Sequence, residues 1–120
     1  MSIASQVAEL EALASSLAAL SAQVPARFST RQALAFVLCA QADVMGRPLT
    51  LSALREQTDG VIGQSIEKTI QVFFRPSRSY PDALGWLDQE LDPNDRRFKY
   101  LRLTPAGLAM AEKLVGELRG

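Results

Sequence analysis

The chain has 120 residues, of which 48% are hydrophobic and 22% are charged, a balance typical of one ordered globular domain. Basic and acidic residues number 13 each, so the net charge does not indicate nucleic acid or membrane binding, and any basic site must come from local clustering. Histidine is absent and no phosphate loop, nucleophile elbow or metal-ligand cluster is present, so the sequence predicts no enzyme, no metal site and no cofactor.

The first predicted helix covers residues 2–23. Ser2 can cap its N-terminus, strong helix formers dominate the run, and Pro25 ends it. Its apolar residues recur at intervals of three and four, so they form a broad stripe that either packs on the core or forms a subunit interface. With two residues from the last helix, the positions assigned to a dimer interface are Ile3, Val7, Leu10, Leu13, Leu17, Leu20, Leu114 and Leu118.

A second helix is predicted to begin near residue 30, with Ser29 or Thr30 as its N-cap and Phe28 packing before it. The run 33–42 is very apolar, which predicts a helix central to the core. It contains Cys39, which is either an inert buried thiol or a redox sensor. A lone cysteine excludes an intramolecular disulfide, and neither a signal peptide nor an apolar run of membrane length is recognisable, so a cytoplasmic protein is predicted.

The middle of the chain has the pattern of a helix-turn-helix unit. Residues 49–51 are short and prone to form a strand, and Ser52 is the predicted cap of a third helix over 53–58. A Gly-containing turn then leads to a fourth helix over 64–74, whose apolar residues follow helical spacing. Two helices joined by such a turn are typical of helix-turn-helix proteins.

A proline-rich loop over 75–82 ends the fourth helix, and a strand is predicted over 84–91. The polar turn that follows and the alternating residues after it predict a β-hairpin, and a hairpin directly after a helix-turn-helix is a wing. Thr104 is a natural N-cap and Pro105 a favoured first residue for a last helix.

This order of elements predicts a mainly helical α+β fold, a winged helix-turn-helix. One domain is expected over 1–120, consisting of an N-terminal helix that dimerises (2–23), a winged-helix core (28–103) and a C-terminal helix (104–119). The two terminal helices are the elements available for dimerisation.

The stretch DPNDRRFKYLRLTPAGLAMAEKL, residues 92–114, resembles the wing and following helix of the MarR-type winged-helix regulators. Weaker similarity extends upstream at 29–34 and 49–54. The loop 75–84 is longer than usual for that family, and the chain is shorter. The family pattern Asp-x-x-Asp-Arg-Arg, then Leu-Thr-x-x-Gly, is matched by Asp92, Asp95, Arg96, Arg97, Leu103, Thr104 and Gly107.

The resemblance implies a transcriptional regulator that binds double-stranded DNA as a homodimer, and the expected activity is repression. The fourth helix would enter the major groove and the wing would lie at the minor groove. Asp95 would hold a wing arginine by a charge-assisted hydrogen bond, or the pair would be purely structural. The candidate DNA-binding residues are Gln64, Ser65, Lys68, Thr69, Arg75, Arg78, Arg96, Arg97 and Arg31.

Two other functions stay open. The first is a winged helix that binds a protein instead of DNA, which the neutral net charge, the acidic wing base and the region of Tyr80 and Trp86 favour. The second is a repressor that senses a ligand at the dimer interface or senses redox state through Cys39. The sequence indicates no pocket, so no effector is predicted.

Overall fold

The computed structural model describes residues 6–58 and 66–119. Within these ranges the chain is mainly helical with one small antiparallel hairpin, which confirms the α+β class. No helix in the described ranges is long and apolar enough to cross a membrane. The elements are α1 (Val7–Ser21), α2 (Thr30–Val44), α3 (Leu51–Gln57), α4 (Ile66–Ile70, continued by a 3-10 turn over Gln71–Phe73), β1 (Leu87–Leu91), β2 (Lys99–Leu103) and α5 (Pro105–Arg119).

Side-chain caps fix the starts of α2 and α5 at the predicted residues. Ser29 and Gln32 form a capping box, in which the Gln32 N–H donates to Ser29 Oγ (3.1 Å) and the Ser29 N–H donates to Gln32 Oε1 (2.8 Å). Thr104 Oγ1 accepts the N–H of Gly107 at 3.0 Å. Each cap satisfies a backbone donor that has no partner inside its own helix.

The start of α3 differs from the prediction. Thr50, not Ser52, is its cap, because Thr50 Oγ1 accepts the Ala53 N–H at 3.1 Å while the Thr50 backbone is still extended. The strand expected over 49–51 is also wrong, since this segment contributes only one backbone bond to the hairpin, from the Leu101 N–H to the Leu49 oxygen (2.7 Å).

The end of α4 and the start of β1 also differ from the prediction, for one shared reason. Three successive N–H groups after the loop donate to the carbonyl oxygens at the end of α4, so residues 84–86 are bonded there and not to the hairpin. The fourth helix therefore tightens into a 3-10 turn, and the strand begins at Leu87 instead of residue 84. The three bonds are Leu84 to Val72 (2.7 Å), Gly85 to Phe74 (2.9 Å) and Trp86 to Phe73 (2.7 Å).

Four aromatic rings form the centre of the core. Phe36 of α2 lies 5.5 Å from the ring of Phe73 and 4.9 Å from that of Trp86, and Phe28 meets Phe73 edge to face at 5.8 Å. These rings join α2, the end of α4 and the segment before β1, and aromatic pairs in such geometries stabilise a core beyond simple area burial. The prediction that α2 is central is confirmed, since Phe36 and Cys39 are at most 1% exposed.

The thiol of Cys39 is expected to be inert in the folded chain. Burial raises its pKa to about 12, and the nearby Asp43 carboxylate adds to the effect. Because the thiolate is the reactive form, alkylation of the native chain at pH 8 should be at least about a thousandfold slower than in urea. Labelling with iodoacetamide, followed by mass spectrometry with and without urea, measures this. Equal rates in the two conditions would contradict the buried-thiol interpretation.

Helix α1 packs against α5. Ser16 Oγ donates to the Leu114 oxygen at 3.1 Å, and Leu20, Met110 and Leu114 are buried around this contact. Leu20 and Leu114 were assigned to a dimer interface, but they lie in the core of the chain itself and leave little surface for a second subunit. The other described members of that set are about half exposed, and Ile3 lies outside the described residues.

Candidate functional site

The hairpin has one face on the core and one away from it. Leu87 pairs with Leu103 and Gln89 with Leu101, so these residues share a face, and Leu87 and Leu101 are fully buried. Tyr100 lies on the opposite face. The base of the hairpin is therefore anchored by apolar packing while its tip projects beyond the core.

Asp92 organises the turn of the hairpin. Its Oδ1 accepts the backbone N–H groups of Asn94 (2.7 Å) and Asp95 (3.1 Å), and its Oδ2 accepts the hydroxyl of Tyr100 (2.8 Å). The bond from Tyr100 contributes most to lowering the pKa of Asp92, and the same bond raises the pKa of Tyr100. The Asp92 carboxylate thus ties the turn to the second strand.

Asp95 and Arg97 form the second contact that shapes the tip. The Arg97 Nη2 and Nε donate to the Asp95 carboxylate at 2.6 and 3.0 Å, and the Arg97 backbone N–H donates to the same group at 3.1 Å. The guanidinium lowers the pKa of Asp95, and the carboxylate raises the pKa of Arg97. Folding lowers the carboxylate pKa, so the pair is intact at neutral pH and is lost only as the pH falls through the folded-state pKa.

The other cations of the tip are available to a partner. Arg96 is exposed and makes no ion pair with any described residue, and Lys99, at the start of β2, is exposed as well. The turn is therefore internally bonded through Asp92 and Asp95, while its remaining positive charge faces solvent.

A cleft of about 500 Å³ separates α4 from the hairpin tip. Glu67 and Gln71 line the helix side, and Arg97, Phe98 and Lys99 line the hairpin side. Residues at the start of α3 also line the cleft. Part of the cleft surface is apolar. The remaining lining residues are Thr50, Leu51, Ser52, Ile70, Phe74 and Gln89.

Among the predicted DNA-binding residues that the structure describes, Arg97 lines the cleft and the others do not. No protein-family model, curated protein or solved structure matches this chain. Within the described ranges, no group of three His, Cys, Asp or Glu side chains is placed to hold a metal ion. The cleft offers cationic, amide and apolar groups together with the Glu67 carboxylate, a combination that can bind a polyanion or a peptide.

The predicted residues of α4 are only partly described. Lys68 is exposed and next to Glu67 in the chain, and Thr69 is half-buried, with its carbonyl oxygen accepting the Gln32 side-chain N–H at 3.4 Å. Gln64 and Ser65 lie outside the described residues. Lys68 is therefore the exposed cation of the described part of α4, but the side of this helix that lines the cleft carries Glu67 and Gln71 instead.

The remaining predicted arginines lie elsewhere. Arg75 donates two hydrogen bonds to Asp88, both at 3.2 Å, so its charge is partly neutralised within the chain. Arg31 in the first turn of α2 and Arg78 in the proline-rich loop are exposed, but neither is among the described residues that line the cleft. These three arginines are not assembled with the hairpin tip into one site.

The proline-rich loop is internally bonded. The backbone groups of Ser77 and Tyr80 bond to each other in both directions (3.1 and 3.2 Å), and the Ala83 N–H donates to the Tyr80 oxygen at 3.2 Å. Arg27, just before α2, reaches Asp82 at 3.9 Å. The proline-rich loop therefore forms a compact turn between α4 and residues 84–86, which are bonded to the end of α4.

The sequence did not reveal the ionic network that ties the hairpin to the end of α2. Arg102 donates to Asp43 at 2.5 Å and to Glu90 at 2.9 Å, and Asp43 also accepts the Leu103 backbone N–H at 2.8 Å. Asp43 lies near the end of α2, so this network ties the second strand to the body of the domain. The signal was an arginine between two leucines in a strand, but its partner lies 59 positions away in the chain.

Proposed function

We propose that this chain is a winged helix-turn-helix protein that binds double-stranded DNA in a sequence-dependent way and acts as a homodimeric transcriptional regulator. In this assignment α3 and α4 form the helix-turn-helix and the hairpin is the wing. The observation that supports the proposal most is the cleft, which sets α4 beside a hairpin tip that carries Arg97 and Lys99. A duplex presents a groove and its bordering phosphates at the same time, so two elements side by side can contact both.

The contacts follow from the geometry of the tip. Arg96 and Lys99 have no ion pair with any described residue, so they are the groups assigned to phosphates or to the minor groove. Arg97 is held by Asp95, so its main role is to fix the shape of the tip. Lys68 would reach the major groove or its phosphates, and the roles of Gln64 and Ser65, which lie outside the described residues, stay a prediction from sequence.

The proposed dimer uses the apolar surface of the two terminal helices. Large side chains on α1 and α5 remain about half exposed in the single chain, an arrangement that costs hydration free energy unless it is covered. A second copy of the chain is the occupant assigned here, because two linked modules on one palindrome bind far more tightly than one. The side chains are Val7, Leu10, Leu13, Leu17, Leu108, Val115 and Leu118.

A salt titration with duplex DNA tests this function. Affinity should fall steeply with salt, and Arg96→Ala should make the slope of log K against log salt shallower by about one per subunit, because one phosphate contact is lost. Arg97→Ala should weaken binding as well, by loosening the tip. Fluorescence anisotropy with a labelled duplex of about 30 base pairs, long enough for two half-sites, measures both effects.

Arg119→Ala, which removes an exposed arginine from the end of α5, is the control and should keep the wild-type slope. Selection of bound sequences from random duplexes should then yield an enriched palindrome. Wild-type protein without salt-dependent binding would exclude the DNA function, and an unchanged slope for Arg96→Ala would remove the tip from the interface.

The second candidate function is a winged helix that binds a protein. Specific observations favour it: Glu67 places a negative charge on the cleft wall, two of the predicted arginines are paired with carboxylates, and Ile70, Phe74 and Phe98 give the cleft apolar surface. A groove of this character suits a peptide with apolar anchors. Failure of the duplex titration together with no enriched DNA sequence would favour this alternative.

A further inference from the structure

We infer that Phe98 packs against a deoxyribose of the DNA strand that crosses the cleft, an apolar contact beside the ionic ones. The inference rests on the proposed DNA binding. Phe98 lines the cleft, yet its side chain is 45% exposed on a tip that is otherwise polar. Nucleic-acid-binding proteins place aromatic and other apolar side chains against bases beside cationic groups, and a deoxyribose offers a similar apolar surface.

The backbone at Phe98 is held in place before any partner binds. Its backbone is bonded on both sides, through the Asp92 N–H to the Phe98 oxygen (2.9 Å) and the Phe98 N–H to the Asp95 oxygen (3.1 Å). The guanidinium of Arg97 lies over the ring at 5.8 Å and is itself fixed by Asp95. A backbone bonded in this way does not need to be ordered on binding, which reduces the entropy cost of the contact.

The neighbours of Phe98 define the chemistry of the occupant. Lys99, which makes no ion pair with any described residue, lies next to Phe98 on the same side of the cleft, so the occupant presents negative charge next to an apolar surface. A sugar–phosphate backbone has this alternation, with an anionic phosphate on either side of each deoxyribose. Contacts to sugar and phosphate carry no sequence information, so Phe98 should contribute to any duplex, specific or not.

The salt titration separates this contact from the ionic ones. Phe98→Ala should weaken binding of a random duplex of about 30 base pairs roughly tenfold at every salt concentration, with the slope unchanged, because no counterion release is lost. Phe98→Leu, which keeps an apolar side chain, should recover part of the loss. Arg96→Ala should change the slope instead.

Leu91→Ala is the matched control. Leu91 is 51% exposed on the same hairpin but is not among the described residues that line the cleft, so its loss should leave affinity unchanged. Amide shifts of Asn94 and Asp95 in NMR spectra report whether the turn of each variant is intact.

The outcomes distinguish the two proposals. Wild-type protein that binds no duplex at any salt concentration overturns the DNA function and the Phe98 contact with it. Wild-type protein that binds with salt dependence, while Phe98→Ala binds equally well, overturns the Phe98 contact alone. A shallower slope for Phe98→Ala also overturns it, because the ring would then act by positioning the cations of the tip.

Discussion

Gly107→Ala is expected to destabilise the fold by about 3 kcal/mol or more, the upper range of overpacking effects. A Cβ at this position would lie 2.0 Å from the Trp86 carbonyl oxygen and 2.9 Å from its carbonyl carbon. Both are backbone atoms, so no side-chain rotation relieves the clash. The same oxygen accepts the Thr104 N–H at 3.0 Å, so a shift of α5 would also break the start of that helix. Urea unfolding monitored by circular dichroism measures the loss.

Gly116→Ala is the control in the same helix. A Cβ there meets nothing within 4 Å, and the residue is exposed, so alanine should stabilise the chain by about 0.5–1 kcal/mol through its higher helix propensity. Equal stabilities for the two variants would show that α5 does not approach Trp86 as closely as described. The comparison isolates the close approach because helix, substitution and method are the same.

Leu10→Asp combined with Leu17→Asp is expected to give a monomer that loses tight DNA binding by about 100-fold or more, since the second half-site no longer acts at high effective concentration. Leu10 and Leu17 lie two turns apart on α1 and are 49% and 50% exposed. A new charge at either position does not enter the core, so the chain should stay folded. Sedimentation equilibrium reports the oligomeric state, and anisotropy with a selected operator duplex reports the affinity.

Ala8→Asp combined with Ser15→Asp controls for added charge. Both residues are exposed on α1 and have the same spacing of seven, but they lie on a different side of the helix from Leu10 and Leu17. This variant should remain dimeric and keep its affinity. If the leucine variant is monomeric and still binds the operator as tightly as wild type, the dimer plays no part in recognition.

Interactions between residues close in sequence were predictable. Ser29 and Thr104 are caps because a hydroxyl there meets an N–H three residues ahead, and the Asp95–Arg97 pair spans two positions within one turn. The apolar run around Phe36 likewise predicted a central helix. In each case the physical cause lies within one or two turns of chain.

Interactions between distant residues were not predictable from one sequence. Asp43 meets Arg102 only because the hairpin crosses the end of α2, and no local pattern records this crossing. Thr50 and not Ser52 caps α3 because Thr50 is the residue whose backbone is still extended directly before the first helical turn, and the sequence does not show this. Periodicity also could not separate Leu20 from Leu17, since both belong to one apolar stripe and only the position of α5 decides which is covered.

Residues 84–86 connect the end of α4 to the start of α5 by hydrogen bonds. On one side their N–H groups hold the end of α4, and on the other side Gly85 and Trp86 accept hydrogen bonds from Thr104 at 2.6 and 3.0 Å. Because both sets of bonds converge on the same three residues, a rotation of α5 should also move the end of α4. In the proposed dimer, a change in how the terminal helices meet would then change the distance between the two α4 helices, and with it the half-site spacing of the DNA that the dimer fits.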